Sequence, residues 1–287
     1  MDFESFVFAH EAAIRLGCFA ATLAIVAAWE ALAPRRVPTI GRALRWFSNL
    51  GLGAVNSLLL RFLFPLAAVG MAVFASAHGW GVLNRFQVSP WLAVPIAVVV
   101  LDFAIWLQHV IMHAVPALWR LHRVHHADLD YDLTTGVRFH PIEVALSMLI
   151  KLAAIQVLGP PAIAVVVFEV LLNATSMFNH GNIRLPAALD RVLRWLVVTP
   201  DMHRVHHSIE DDETNSNFGF NLPWWDRLFG TYRDRPRGGH EAMTIGIHGH
   251  RDLHEVARLP GMLLLPFRGE DSGYAINRRD WNQHPAR

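Results

Sequence analysis

The stretch His109–His126, HVIMHAVPALWRLHRVHH, holds five histidines in eighteen residues. They fall as His109-x-x-x-His113 and His122-x-x-His125-His126, and the second pattern returns as His203-x-x-His206-His207. Positions i, i+3 and i+4 of a helix share a face. His109 therefore points with His113, and His122, His125 and His126 form one imidazole patch. With 17 histidines in 287 residues, His-x-x-His-His is expected by chance roughly 0.06 times, and it occurs twice. Neutral imidazole is a ligand for iron, zinc, copper and nickel. The clusters read as two halves of one metal site. One ion rarely takes more than about six ligands, so eight or more converging histidines point to two metals.

Around this stretch the chain is apolar: 53% hydrophobic and only 17% charged residues. That composition predicts an integral membrane protein. A net charge of +1 gives no reason to expect a nucleic-acid partner. The single cysteine, Cys18, excludes an internal disulfide and any thiolate cluster. The acidic N-terminus, MDFESFVFAHEAA, lacks the basic region of a cleaved signal peptide.

Working towards the N-terminus, residues 90–112 form a long span that delivers His109 and His113 to one membrane face. Asp102, two turns earlier, either orients a ligand histidine from outside the coordination shell or makes a helix–helix hydrogen bond. Residues 49–77 are apolar around Arg61. Either 44–60 lie partly at the interface and 62–77 span, or Arg61 faces the protein interior. Residues 16–33 form the first span, closed by Pro34 and followed by Arg35, Arg36, Arg42 and Arg45. That basic loop belongs on the cytoplasmic side. Glu30, near the span's end, snorkels or pairs with one of these arginines.

Towards the C-terminus, Asp128, Asp130 and Asp132 lack the glycine and final glutamate of a calcium loop and read as solvated loop acids or caps. His140-Pro141 with Glu143 reads as a helix start, the acid complementing the dipole. His140 reads as a tenth ligand, a helix cap or, the preferred reading, a support for the ligands from outside the coordination shell. Residues 144–178 are broken by Gly159-Pro160-Pro161 into helices of about 15 and 17 residues, short for a full span of roughly 20. They predict a re-entrant hairpin that returns His180 to the metal side as a ninth ligand. Thr199-Pro200 reads as a cap and first turn opening the helix of His203, His206 and His207. Asn217 and Asp226 are further candidates for holding ligands in place. Trp224, Trp225 and Phe229 suit the headgroup level. His240, His248, His250 and His254 read as surface histidines, and 259–267 is too short to span. The expected fold is an all-α membrane bundle of about three to four spans plus the hairpin, with a cytoplasmic histidine-rich helical cap. Its expected parts are a transmembrane region (1–90), a catalytic domain (91–235) and a polar tail (236–287).

The set HVIMH, HRVHH, RFHPIE, FNHGN, TPDMHRVHH and WWDRLFGTYR, spread over residues 95–235, resembles the fatty acid hydroxylase superfamily, often called the sterol desaturase family. The resemblance implies a membrane-bound, non-haem di-metal oxidoreductase, normally of iron, with zinc an alternative occupant in recombinant material. Such enzymes use dioxygen and two electrons to hydroxylate or desaturate a lipid C–H bond. It also implies that His109, His113, His122, His125, His126, His180, His203, His206 and His207 are the ligands. Ser176 stands where that family often has a further histidine. No nucleotide fingerprint is present, so electrons are expected from a separate donor protein, and the expected location is a bacterial inner membrane. Two other classes stay open: a membrane zinc hydrolase, although neither triplet carries the Glu of His-Glu-x-x-His, and a non-catalytic metal-holding protein.

Overall fold

The structure, a computed structural model, describes residues 3–269 and Ile276. The rest of the tail expected over 236–287 lies outside the described residues. Among the described residues the chain is helical, with only isolated bridges, Pro34 to Ile183 and Ser208 to Ile245, in place of strands. Among the described residues five elements are long and apolar enough to cross a membrane: Glu11–Leu32, Arg42–Arg85, Pro90–Ala114, Pro141–Leu158 and Ala162–Asn179. Their outward faces carry large apolar side chains. Leu16, Leu58 and Val157 are each about 70% exposed, as expected where the surroundings are lipid tails.

Prolines and one glycine set the breaks. Val115 is extended (φ −100°, ψ 117°) ahead of Pro116, the geometry that a following proline imposes. This separates the Pro90–Ala114 helix from Pro116–His126. Gly159 closes the Pro141–Leu158 helix at φ +65°, and a Cβ there would lie 2.4 Å from the Trp80 carbonyl, so only glycine fits. The two arms that follow from this break are 18 residues each, about 27 Å long. They are longer than the sequence pattern implies, and both count among the five candidate spans. The Arg61 stretch also resolves: a helix, Arg42–Leu63, ends before Pro65 and a second, Ala67–Ala77, begins after it. Arg61 sits in the last turn of the first.

The acids of DLDYD are not solvated. Asp128, Asp130 and Asp132 are buried because Arg45, expected in an open loop, is itself buried on the Arg42–Leu63 helix. Arg45 pairs with Asp128 through Nε and Nη2 at 2.7 and 2.8 Å and with Asp132 at 2.5 Å. Asp132 also caps the 3-10 turn Leu133–Val137, and Asp130 accepts the backbone N–H groups of Thr39 and Ile40. Burial pushes the Asp128 carboxyl up, but the Arg45 guanidinium more than offsets this and holds it below the usual range. Glu30 is buried too, accepting the backbone N–H groups of Leu133 and Asn182 at 2.8 Å each. His250 is not a surface residue: it is 5% exposed, with Nδ1 3.2 Å from Glu255.

Candidate metal centre

Nine histidines meet in two adjoining groups. His109, His113, His122, His126 and His206 form one, and His125, His180, His203 and His207 the other; within each group the ligand atoms lie within 4.8 Å of one another. Each triplet is divided by helix geometry. His122 and His126, at i and i+4, join the first group, and His125 between them turns to the second. His203 and His207 go to the second, and His206 to the first. All nine side chains are at most 3% exposed.

Hydrogen bonds fix the rings. His109 Nδ1 donates to the Phe218 carbonyl at 2.8 Å. His122 Nδ1 donates to Glu143 at 2.6 Å, and His206 Nδ1 to the Ser216 carbonyl at 2.7 Å. In the second group, His180 Nδ1 donates to the Ser176 carbonyl at 2.7 Å. A carbonyl or carboxylate can only accept, so each Nδ1 carries the proton and each Nε2 is left bare. In the first group the bare nitrogens of His109, His122 and His206 nevertheless face one another, and in the second the bare His180 Nε2 faces two further imidazoles. His109 Nε2 lies 3.0 Å from the Nε2 atoms of both His122 and His206, and His180 Nε2 lies 3.2 Å from those of His125 and His203. Facing lone pairs repel unless a cation lies between them. Nitrogens at right angles about one ion, each about 2.1 Å from it, would be about 3.0 Å apart. His207 adds a second sign: both of its ring nitrogens are buried without a hydrogen-bond partner, a costly state for a polar group. The donor set fits metal.

Burial also supplies the ligand form of imidazole. It pushes His125, His126, His203, His206 and His207 well below the ordinary histidine range, with the neighbouring imidazoles acting in the same direction. Burial lowers His180 to about 3.

The residues expected to support the ligands act differently. Among the described residues Asp102 makes no hydrogen bond or ion pair to a histidine; it accepts the N–H groups of Asn221, Leu222 and Trp225. Asp226 accepts the backbone N–H groups of Phe218 and Gly219 at 2.9 and 2.8 Å. Asn217 adopts φ +51°, and its amide donates to the carbonyls of Met202 and Arg233. Asp226 and Asn217 thus hold the loop whose Ser216 and Phe218 carbonyls orient His206 and His109. His140 is a helix cap rather than a partner of a ligand. Its Nδ1 accepts the Ile142 N–H at 3.2 Å, and its Nε2 is 3.2 Å from the Leu263 carbonyl. Glu143, read from sequence only as a helix-dipole acid, is the carboxylate on His122, and Asn215 Oδ1 lies 3.1 Å from His113 Nδ1. No local periodicity links residues 122 and 143, and backbone carbonyls leave no sequence signal.

A cavity of about 890 Å³ opens onto the first group. His109 and His122 form part of its wall, which otherwise runs between apolar membrane helices through residues such as Phe19, Leu60, Ile105 and Leu172.

Residues 94–231 match the fatty acid hydroxylase family. The chain is 27% identical over 242 residues to ornithine lipid hydroxylase OlsE of Rhizobium tropici, covering 80% of this chain and 70% of that protein. It is 27% identical over 192 residues to alkylglycerol monooxygenase of Xenopus tropicalis, covering 64% of this chain and 41% of the relative. It is 23% identical over 214 residues to fatty acid hydroxylase vlmA of Lecanicillium sp, covering 70% and 56% respectively. The chain spans less than half the length of the alkylglycerol monooxygenases it matches. No solved structure matches it.

Proposed function

This chain belongs to the fatty acid hydroxylase superfamily, and from that premise we propose that it is a membrane di-iron oxygenase that hydroxylates a C–H bond of a lipid. The observation that carries the reading is the junction of nine buried histidines with an apolar cavity between membrane helices. The relatives named above are hydroxylases and a monooxygenase, acting by their names on ornithine lipid, alkylglycerol and fatty acid, so hydroxylation is favoured over desaturation.

His109, His113, His122, His126 and His206 would hold one iron, and His125, His180, His203 and His207 the other. Bound there, the pair of redox metals would supply the activation of dioxygen that an unactivated C–H bond requires. The chain supplies the rest. Glu143 and the carbonyls of Phe218, Ser216 and Ser176 hold the Nδ1 protons, so that each Nε2 stays bare and aimed inward. Burial keeps the imidazoles neutral. The cavity takes a lipid chain from the bilayer, excludes water and presents a carbon to the side of the site formed by His109 and His122.

We place the site on the cytoplasmic face, in a bacterium that of the inner membrane. Arg35 and Arg36, just beyond the first span, bond to Asn182, two residues from His180; the basic side of the membrane is thus the metal side. Electrons would come from a separate protein on that face. The test is lipid mass spectrometry of cells with and without the chain. A product one oxygen atom heavier, labelled from isotopic dioxygen, is expected. The same product under strict anaerobiosis overturns the reading.

A further inference from the structure

Two arginines line the cavity, Arg15 and Arg61, and only one is answered. Arg15 pairs with Glu11 at 2.9 Å and with Glu169, which also takes Lys151 at 2.7 Å. Two cations there meet two carboxylates. The Arg61 guanidinium makes no ion pair or hydrogen bond among the described residues. Its neighbours on the outer side, Leu58, Phe62 and Leu66, are large, apolar and mostly exposed, so this part of the chain faces lipid tails. A cation in such a place is costly unless it turns to a partner or to a polar space inside the protein.

The cavity is that space. On the Arg42–Leu63 helix its wall is Leu50, Gly53, Ala54, Ser57, Leu60 and Arg61. These recur at the three- and four-residue spacing of one helix face, so Arg61 ends a stripe that runs along the cavity. Ala54, Ser57 and Arg61 are all exposed, and the side chains before the cation are small, so a ligand in the groove can reach the guanidinium. The stripe also leads to the metal site. Asn56, on the same helix, donates to the Phe139 carbonyl at 2.8 Å, and the Phe139 ring stacks on His125 with centroids 4.4 Å apart. Arg61 stands five residues further along, about 7.5 Å on the helix axis. It is thus placed to hold one end of an extended molecule that passes His109 and His122.

We propose that Arg61 binds an anionic group, carboxylate or phosphate, on the lipid substrate and anchors the lipid with its chain running along the cavity to His109 and His122. A guanidinium matches either group with paired N–H donors. The chain would then select anionic lipids over neutral esters, and the distance from the anion would set which carbon is presented to the site. This rests on the reading of the cavity as the lipid site.

The test measures binding of tritiated oleyl phosphate, oleate and methyl oleate to the purified, metal-loaded full chain in neutral detergent at about pH 8.5, where a carboxyl is ionised. At least one anion is expected to bind about tenfold or more tightly than methyl oleate, the worth of a hydrogen bond to a charged group. Arg61→Gln is expected to cut that preference to within about twofold while methyl oleate binding holds. In the unmodified chain the anion should shield Arg61 from phenylglyoxal, read by peptide mass spectrometry, and methyl oleate should not; this readout needs no variant. Ala54→Trp, which fills the groove, should weaken all three lipids. Equal affinity of the three overturns the Arg61 site, as does an anion preference that survives Arg61→Gln or leaves Arg61 unshielded. Anion binding untouched by Ala54→Trp also overturns it, since the lipid then lies outside the cavity. If the chain hydroxylates a lipid without any anion preference, the oxygenase reading survives that failure. Conversely, an anion preference held by Arg61 in a chain that oxidises no lipid supports the site and counts against the oxygenase.

Discussion

Replacing Glu143 by Gln should weaken one metal pocket and spare the other. The Glu143 Oε1 to His122 Nδ1 contact is 2.6 Å between side chains only 5% and 2% exposed. A hydrogen bond to a charged group in such a place is worth about 1.5–3 kcal/mol, against about 0.5–1.5 kcal/mol for a neutral one. Gln keeps an oxygen that can accept the Nδ1 proton, so the tautomer of His122 survives and only the charge is lost. The difference, about 1–1.5 kcal/mol, corresponds to roughly tenfold in affinity. Glu143→Ala removes the acceptor as well, and its loss should approach the upper end of the 10- to 100-fold range for groups that orient ligands. The assay is chelator competition on the iron-loaded chain without added lipid. His122 belongs to the five-histidine group, so one of two release steps should move. Wild-type affinity in Glu143→Gln, or equal weakening of both steps, refutes the reasoning.

Three further outcomes are expected. Arg45→Met leaves Asp128 and Asp132 buried without their cation, which should cost about 3–5 kcal/mol and appear as a large drop in the unfolding midpoint in detergent; a drop no larger than that of an exposed substitution contradicts it. His206→Ala and His203→Ala strike different groups, so each should lose about half the bound metal by elemental analysis, and loss of all metal in both would mean a single indivisible site. In the metal-free chain, burial depresses the imidazoles of His125, His126, His203, His206 and His207. Below about pH 6.5 the unfolded chain then binds protons that the folded one does not, so stability is present above that pH and falls on acidification, by up to about 1.4 kcal/mol per pH unit for each group. A midpoint that is flat or rises between pH 6.5 and 5 contradicts it.

What was legible in the sequence is what local periodicity encodes. The His109/His113 pair, both triplets and the break at Gly159-Pro160-Pro161 follow from helix geometry and from residues that stop helices, and they gave the bundle and the set of nine histidines. The division of each triplet between two groups was hidden, because it depends on the angle at which the helices meet. The DLDYD acids read as solvated or as caps; the cap holds at Asp132, but their burial was hidden because nothing near them in sequence supplies a counter-charge, and Arg45 comes from more than eighty residues away. Glu143 does stand in the first turn of its helix, as read, but its contact with His122 was hidden for the same reason. Of the two candidates in the sequence for holding ligands, Asp226 bonds to the loop that carries Ser216 and Phe218, Asn217 ties that loop to Met202, and neither side chain bonds to a histidine ring.

The most direct measurement is the iron content of the purified full chain after anaerobic loading with iron(II) and removal of loosely held metal. Two pockets built from nine inward-facing imidazoles predict two irons per chain. A folded chain that retains none, or only one, contradicts the account.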